Sequence, residues 1–394
     1  MKKILIIVTY DSFLKAGINI ASRLKGFSID VAIQNVKKNQ LSLRQLNESK
    51  IANFNIVELN FSTLDQYNIV MLSMGNSSFR KFIVQYYDFF SNTDLHRPLL
   101  ISIFPGVIFG QVDSIISRIN SDIVIANNQA DVELIEKMAR TYNNNLKVLN
   151  YGIVNINQNF LRERNRNKEE NIVFIDQVRI PNLYHEREYV VDNLIELAKS
   201  NPEKNIIIKT RVNAKEITVH IDKYPYFDIL KHKVVPSNLY ISSESIDSLY
   251  HKMDFCISFS STVIFEALYY GIPCGVIKDL GIREDFSNKY FLDSGLLMSF
   301  SEIKAGIRRK VDINWFDNYV VFDHDRDKVL QELIDSSLKN KQNENMSISS
   351  EPLFCGAFRD EYNKELKVSK KKSDNMIFKF FSKIGMVFFN KFKF

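Results

Sequence analysis

Three consecutive hydroxyl side chains, Ser260, Ser261 and Thr262, follow an apolar run at residues 254–259. That run, DFCISF, predicts a short buried strand, and the apolar spacing at residues 263–270 predicts a helix. A helix start carries unpaired N–H groups and a partial positive charge, so this turn has the chemistry to bind a phosphate. A plain helix cap needs only one of the hydroxyls, and that interpretation stays open.

Charged side chains near this turn in the predicted topology have the chemistry to complete such a site. Lys209 and Arg211 end a predicted strand at 205–211, and arginine binds oxyanions through two parallel hydrogen bonds. The alternative interpretation is that Lys209 and Arg211 form an ordinary exposed strand end and bind no ligand. Glu266 lies one turn into the predicted helix, where it would contact a ribose or base, or only complement the positive helix end.

The elements that would position these residues alternate along the chain in two series. The first predicted strands are 3–9, 27–33, 68–73, 98–104, 122–127 and 146–152, with helices at 14–24, 77–90 and 130–142. The second strands are 171–177, 205–211, 239–242, 254–259 and 273–277, with helices at 190–200, 246–253, 263–270 and 326–338. Short apolar strands that alternate with helices predict parallel sheets covered on both faces.

A charged, asparagine-rich break at residues 162–171 separates the two series. We therefore predict an N-terminal Rossmann-like domain at 1–165, a second at 166–338, a linker at 339–369 and a basic amphipathic tail at 370–394. The last helix of the second series is expected to return to the first domain. In open parallel sheets, ligands bind beyond the carboxyl ends of the strands, so a site is expected in a cleft between the domains.

The net charge of +6 belongs entirely to the tail. Its 25 residues hold seven lysines and one aspartate, so the rest of the chain is neutral and its charge argues against nucleic-acid binding. Apolar side chains at helical spacing alternate there with lysines, which predicts a helix lying on an anionic membrane surface, at the cytoplasmic face of the inner membrane. The alternative is a helix docked on the protein body.

The three cysteines show no disulfide or zinc spacing.

Five segments, 11–17, 174–188, 209–230, 258–277 and 278–297, occur in the order found in a bacterial family of GT-B-fold glycosyltransferases that is catalogued as a domain of unknown function. The hydroxyl turn followed by EALYYGIP is part of this resemblance. It implies two Rossmann-like domains facing a cleft, a nucleotide-sugar donor, a glycan or glycolipid acceptor, and a place in surface-polysaccharide assembly. No cofactor and no metal are expected.

The hydroxyl turn also resembles the serine-rich turn that holds the CMP phosphate in bacterial GT-B sialyltransferases. This implies inverting transfer of a nonulosonic acid from a CMP donor. The chain lacks the His-Pro dipeptide of those enzymes, and the nearest equivalents are His220 and the turn Tyr224-Pro225. His220 is then the candidate to protonate or bind the leaving phosphate.

Other roles follow from the same topology. Asp11 comes after the first strand and is the candidate general base, although it is also a natural helix cap. Gln177, Arg179 and Arg187 are expected to shape the donor pocket. The turn Pro105-Gly106 is expected to line the acceptor side.

Asp323-His324-Asp325 is the nearest match to a metal-binding DxD motif, and we interpret it as a loop before the last helix. Three alternatives to glycosyl transfer stay open. The chain could be a nucleotide-sugar epimerase or a polyol-phosphate transferase of the same fold, or an inactive subunit that scaffolds an assembly complex.

Overall fold

A computed structural model describes residues 1–34, 41, 43–143, 145–160, 170–210, 222–343, 352–360 and 363–364. Each half of the chain forms one parallel sheet with helices on both faces, which we call the N-lobe and the C-lobe. The predicted domain boundary near 165, Arg211, His220 and the whole tail at 370–394 lie outside the described residues.

The N-lobe is built on a parallel sheet with the order β3-β2-β1-β4-β5-β6-β7. Its strands are β1 (Lys2–Val8), β2 (Phe27–Ile33), β3 (Asn55–Ile56), β4 (Ile69–Ser73), β5 (Leu99–Ile103), β6 (Ile123–Ala126) and β7 (Lys147–Asn150). Its helices are α1 (Asp11–Ala21), α2 (Leu43–Glu48), α3 (Asn76–Ser91), α4 (Val112–Arg118) and α5 (Gln129–Tyr142), with 3-10 turns at Ile51–Asn53 and Phe61–Gln66.

The C-lobe repeats the same order from its own first strand, β10-β9-β8-β11-β12-β13. Its strands are β8 (Asn171–Ile175), β9 (Asn205–Lys209), β10 (Leu239–Ser242), β11 (Phe255–Ser258), β12 (Cys274–Ile277) and β13 (Leu297–Met298). Its helices are α6 (Tyr184–Ser200), α7 (Tyr226–Leu230), α8 (Ile246–Tyr250), α9 (Val263–Tyr269), α10 (Phe300–Lys304) and α11 (Ile313–Tyr319), with a 3-10 turn at Asn288–Phe291.

Alternate side chains of the central strands fill two separate apolar layers. On β1, Ile4, Ile6 and Val8 pack against α1, whereas Leu5 and Ile7 pack against α3 on the opposite face. Both sets are fully buried, because a strand covered by helices on both faces needs apolar residues at every position. The near-continuous apolar runs in the sequence have this origin.

The last helix, α12 (Arg326–Asn343), returns to the N-lobe as predicted. Its Leu330 and Ile334 join the apolar layer under β1. At its start, the buried Arg326 guanidinium donates hydrogen bonds to the carbonyls of Tyr151, Ile153 and Ile156, at 2.8 to 3.2 Å. These residues belong to the segment that connects the two lobes. The Arg326 side chain therefore links this connecting segment to the returning helix.

The predicted two-domain α/β fold of GT-B type is confirmed in the described part of the chain. Asp323-His324-Asp325 forms the loop before α12, as interpreted from the sequence, and the Asp323 carboxylate accepts a hydrogen bond from the N–H of Asp325 at 2.8 Å.

Candidate active site

The hydroxyl turn at 260–262 follows β11 at the carboxyl edge of the C-lobe sheet. Gln177, on the loop after the neighbouring strand β8, holds its first residue in place. The Gln177 side-chain oxygen accepts from the Ser260 N–H at 3.0 Å and from the Ser258 hydroxyl at 3.2 Å, and its amide donates to the Ser260 hydroxyl at 3.2 Å. Because Ser260 is only 2 % exposed, its hydroxyl belongs to this internal network.

The other two residues of the turn are less deeply buried. Ser261 and Thr262 are half-buried, and the Ser261 hydroxyl accepts from the N–H of Val263 at 3.3 Å. Thr262 precedes α9 and makes no side-chain cap bond. A Cβ atom placed on Gly106 would lie 2.8 Å from the Thr262 hydroxyl oxygen, so Thr262 faces the N-lobe across a very short gap.

The N-lobe side of this gap is the loop 104–110 after β5, which is fixed by side chains that follow β6. The Asn127 amide donates to the carbonyls of Phe104 at 3.2 Å and Gly106 at 2.9 Å. The Asp131 carboxylate accepts from the N–H of Ile108 at 3.2 Å. Burial raises the pKa of Asp131 to about 7. The loop that faces Thr262 is therefore held by buried polar groups and not by surface contacts.

Aromatic side chains join the two lobes beside this loop. Phe109 has a left-handed backbone with φ 52°, and its ring centroid lies 5.9 Å from that of Phe265 and 5.6 Å from that of Tyr290. Gly110 is also left-handed, with φ 63°, and a Cβ atom there would lie 1.9 Å from the Tyr290 hydroxyl oxygen. Only glycine fits at this contact.

Arg187, on α6, supports the backbone that carries Gln177. Its buried guanidinium donates to the carbonyls of Pro181 at 2.8 Å, Tyr224 at 3.1 Å, Gln177 at 3.3 Å and Val178 at 2.7 Å. Such a group replaces the water that buried carbonyls would otherwise require. Arg187 therefore shapes the loop beneath the turn and does not itself project into the gap.

Two carboxylates lie beside Arg187, and the nearer one, Asp222, is 3.3 Å from the guanidinium. Asp176 is buried, 3.7 Å from the guanidinium, and burial raises its pKa to about 7 in spite of that neighbour. Lys209, at the end of β9, donates to the carbonyl of Thr210, and its charge acts on Asp176. Lys209 thus lies at the predicted strand end, beneath the loop that holds the turn.

Glu266 differs from the expected ribose or base contact. Its carboxylate is buried inside the C-lobe and accepts a hydrogen bond from the Tyr250 hydroxyl. Burial raises the pKa of Glu266 to about 7. The helical position predicted from the sequence is correct, but the side chain points into the apolar layer, where Tyr250 packs edge-on against Tyr270.

The family model described as "Putative glycosyltransferase (DUF6716)" matches residues 4–336. The chain belongs to this family. No curated protein sequence matches it.

Solved structures share the fold at low sequence identity. The S. aureus MnaA–UDP co-structure has a TM-score of 0.57 and 12% identity over 89% of this chain and 100% of that chain. The UDP-GlcNAc 2-epimerase from Neisseria meningitidis bound to UDP-GlcNAc has a TM-score of 0.52 and 12% identity over 85% and 100%. At such identity, these likenesses establish the fold alone.

The remaining predicted site residues are Asp11, Arg179, Arg211 and His220. Asp11 is the first residue of α1 and the N-cap is Tyr10, which makes no side-chain cap bond. Arg179 is exposed on the loop after β8. Arg211 and His220 lie outside the described residues, so their roles in this family member stay predictions.

Sequence reasoning missed Asn127, Asn128 and Asp131, which fix the loop opposite the turn. Asn128 caps α5 by accepting from the N–H of Asp131 at 2.7 Å. The signal was present, because these residues directly follow a predicted strand of a parallel sheet.

Among the residues that the structure describes, none of the helices has the length and apolar character needed to cross a bilayer.

Proposed function

We propose that this chain transfers a sugar from a nucleotide-activated donor to a glycan or glycolipid acceptor. One observation carries the proposal: the hydroxyl turn at 260–262 lies at the carboxyl edge of the C-lobe sheet and faces the Pro105-Gly106 turn of the N-lobe. Ligands of open parallel sheets bind at such edges. Membership of a glycosyltransferase family supports the reaction class.

In this proposal the donor phosphate lies on the hydroxyls of Ser261 and Thr262, while Gln177 and Ser260 hold the turn. Lys209 and Arg211 supply positive charge near the leaving phosphate, so that no metal is required. Asp11 takes the proton of the acceptor hydroxyl, and His220 protonates or binds the leaving group. Preorganised donors of this kind stabilise charge that develops in the transition state.

The favoured donor is a CMP-linked nonulosonic acid, transferred with inversion, on the resemblance of the turn to that of sialyltransferases. UDP is the main competitor, because two solved structures of the same fold hold UDP or UDP-GlcNAc. The acceptor belongs to surface-polysaccharide assembly. The basic tail at 370–394 is proposed to hold the enzyme at the anionic cytoplasmic face of the inner membrane.

Thermal unfolding of the full chain with CMP, CDP, UDP or GDP tests the phosphate site. A nucleotide at 100 times its dissociation constant stabilises a protein by about 2.7 kcal/mol. We expect one nucleotide to raise the midpoint clearly, and Ser261→Ala with Thr262→Val to abolish the rise. Ser243→Ala, an exposed serine on the same lobe, is the matched control and should keep it. No rise with any of the four nucleotides would refute the proposal.

A product assay separates transfer from the related reactions. The enzyme is incubated with the nucleotide-sugar that carries the stabilising nucleotide, with and without a glycan acceptor, in buffer containing EDTA. Release of nucleotide coupled to a longer glycan supports metal-independent transfer. An epimerised sugar formed without acceptor would instead identify an epimerase, and a transferred polyol phosphate would identify the polyol-phosphate reaction.

A further inference from the structure

A second concave site lies on the C-lobe between the 3-10 turn Asn288–Phe291 and α11. Its volume is about 760 Å³. The residues whose side chains matter for its chemistry are Tyr290, Asp293, Asp312, Asn314, Asn318 and Tyr319. None of them was singled out from the sequence.

The polar groups of this cavity have spare hydrogen-bonding capacity. Within the described ranges, no side-chain hydrogen bond engages Asp293, Asn314 or Asn318. Asn314 and Asn318 are four residues apart, and so lie on the same face of α11. Amides both donate and accept, and carboxylates accept, so these side chains together match a ligand with several hydroxyl groups.

Aromatic rings form the other part of the wall. Tyr319 and Trp315 stack with ring centroids 4.9 Å apart, and Tyr290 is half-buried at the cavity edge. The half-buried rings of Tyr290 and Tyr319 offer a surface on which the apolar C–H face of a pyranose packs, while its hydroxyls reach polar groups at the rim. A pocket of aromatic surface with a few polar groups is typical of small-ligand sites.

The charge of the wall selects against an anionic ligand. Asp293 and Asp312 are both exposed carboxylates, whereas Lys289, which also lines the cavity, is paired with Glu284. A phosphate or a sialic acid would be repelled by the two carboxylates of the wall, neither of which has an ion-pair partner among the described residues. The chemistry therefore favours a neutral saccharide.

The cavity is connected to the candidate active site through the loop 104–110. Gly106 faces Thr262, and Gly110 meets Tyr290 at the cavity edge. Four residues of extended chain span at most about 14 Å, so the two places lie within reach of one oligosaccharide. We propose that this cavity binds neutral sugar units of the acceptor glycan, away from the reacting end; this rests on the proposed glycosyl transfer.

The test uses the full-length protein on an array of neutral and anionic oligosaccharides. The neutral glycan that binds best is then titrated while tryptophan emission is recorded, since Trp315 is the single tryptophan of the chain and lines the cavity. We expect its emission to change on binding. Asn314→Ala with Asn318→Ala should weaken binding about ten-fold, because two hydrogen-bonding groups are lost.

The matched control is Asn53→Ala with Asn92→Ala, two exposed asparagines of the N-lobe, which should bind the glycan normally. The proposal is overturned if no neutral glycan binds, or if the Asn314 and Asn318 substitutions leave the affinity unchanged. Nucleotide stabilisation is measured in the same variants. If it persists while glycan binding is absent, only the cavity proposal fails; if nucleotides never bind, the transferase proposal fails instead.

Discussion

The two lobes share one topology but fix their facing loops with different chemistry. In the C-lobe, an arginine cation, Arg187, donates to four backbone carbonyls and holds the loop that carries Gln177. In the N-lobe, the neutral amide of Asn127 and the buried carboxyl of Asp131 hold the loop 104–110. The arginine contributes many bonds at once, whereas the carboxyl contributes few and is itself poorly solvated. We therefore expect the C-lobe to lose more stability than the N-lobe when the side chain that holds its loop is substituted.

The largest effect is expected for Arg187→Met. Removing the guanidinium leaves four carbonyls without that donor and both Asp176 and Asp222 without their cation, and breaking a buried ionic network costs about 3–5 kcal/mol. Urea unfolding should show this loss, and nucleotide binding should disappear because Gln177 is no longer held. Arg179→Met, on the same loop but exposed, should change the free energy of unfolding by less than about 0.5 kcal/mol. Equal effects of the two substitutions would contradict the role of the buried Arg187 in holding this loop.

An intermediate effect is expected for Gly110→Ala at the contact between the lobes. Gly110 and Gly306 both have left-handed φ angles, 63° and 75°, but only at Gly110 would a Cβ atom meet another group. Gly306→Ala should therefore cost about 1–2 kcal/mol for backbone strain alone. Gly110→Ala should add about 1–3 kcal/mol for the overlap with Tyr290.

Thermal unfolding of both glycine variants measures this difference. If Gly306→Ala is as damaging as Gly110→Ala, the aromatic contact between the lobes contributes nothing beyond the backbone requirement. A weaker transfer activity in Gly110→Ala alone would show that this contact also positions the site, because the same loop faces Thr262 at Gly106.

A third effect depends on pH and distinguishes the buried carboxyl from the buried cation. The pKa of Asp131 is about 7 when folded, against an ordinary value of 3.8. The folded protein thus holds a proton that the unfolded chain has lost, so the contribution of Asp131 to stability falls as pH rises from about 4 to 7. Asp131→Asn should flatten this part of the profile.

Unfolding midpoints at pH 5 and pH 8 provide the measurement. The difference in unfolding midpoint between Asp131→Asn and the parent chain should favour the variant more at pH 8 than at pH 5. The buried Asp176 and Glu266, with pKa values of about 7, should leave a similar residual slope in both proteins. An unchanged profile would mean that Asp131 is ionised in the folded protein throughout this range.

Much of the architecture could be predicted because hydrophobic periodicity is a local property. The strand at 27–33 was predicted with its observed bounds, and the long helix α3 was predicted to within one residue at each end. The short helices α2, α4, α7, α10 and α11 were not predicted. Each spans five to seven residues, and so few turns give only a weak apolar period.

The site was predicted less completely, because position at a strand end does not determine which way a side chain points. The hydroxyl turn lies where expected, at the edge that faces the other lobe. Glu266 was placed on the correct helix, yet its side chain turns inward to Tyr250. Arg187 was expected near the donor pocket, and its role as a support for backbone carbonyls needed the positions of Pro181 and Tyr224.

The spacing of neighbouring residues is enough to specify two parallel sheets, their helices and the apolar layers. The meeting of particular polar groups depends on how distant parts of the chain pack. Gln177 binds Ser258 and Ser260 across more than 80 residues because β11 lies next to β8. Strand order is set by the packing of the whole domain, and no local pattern in the chain specifies that pairing.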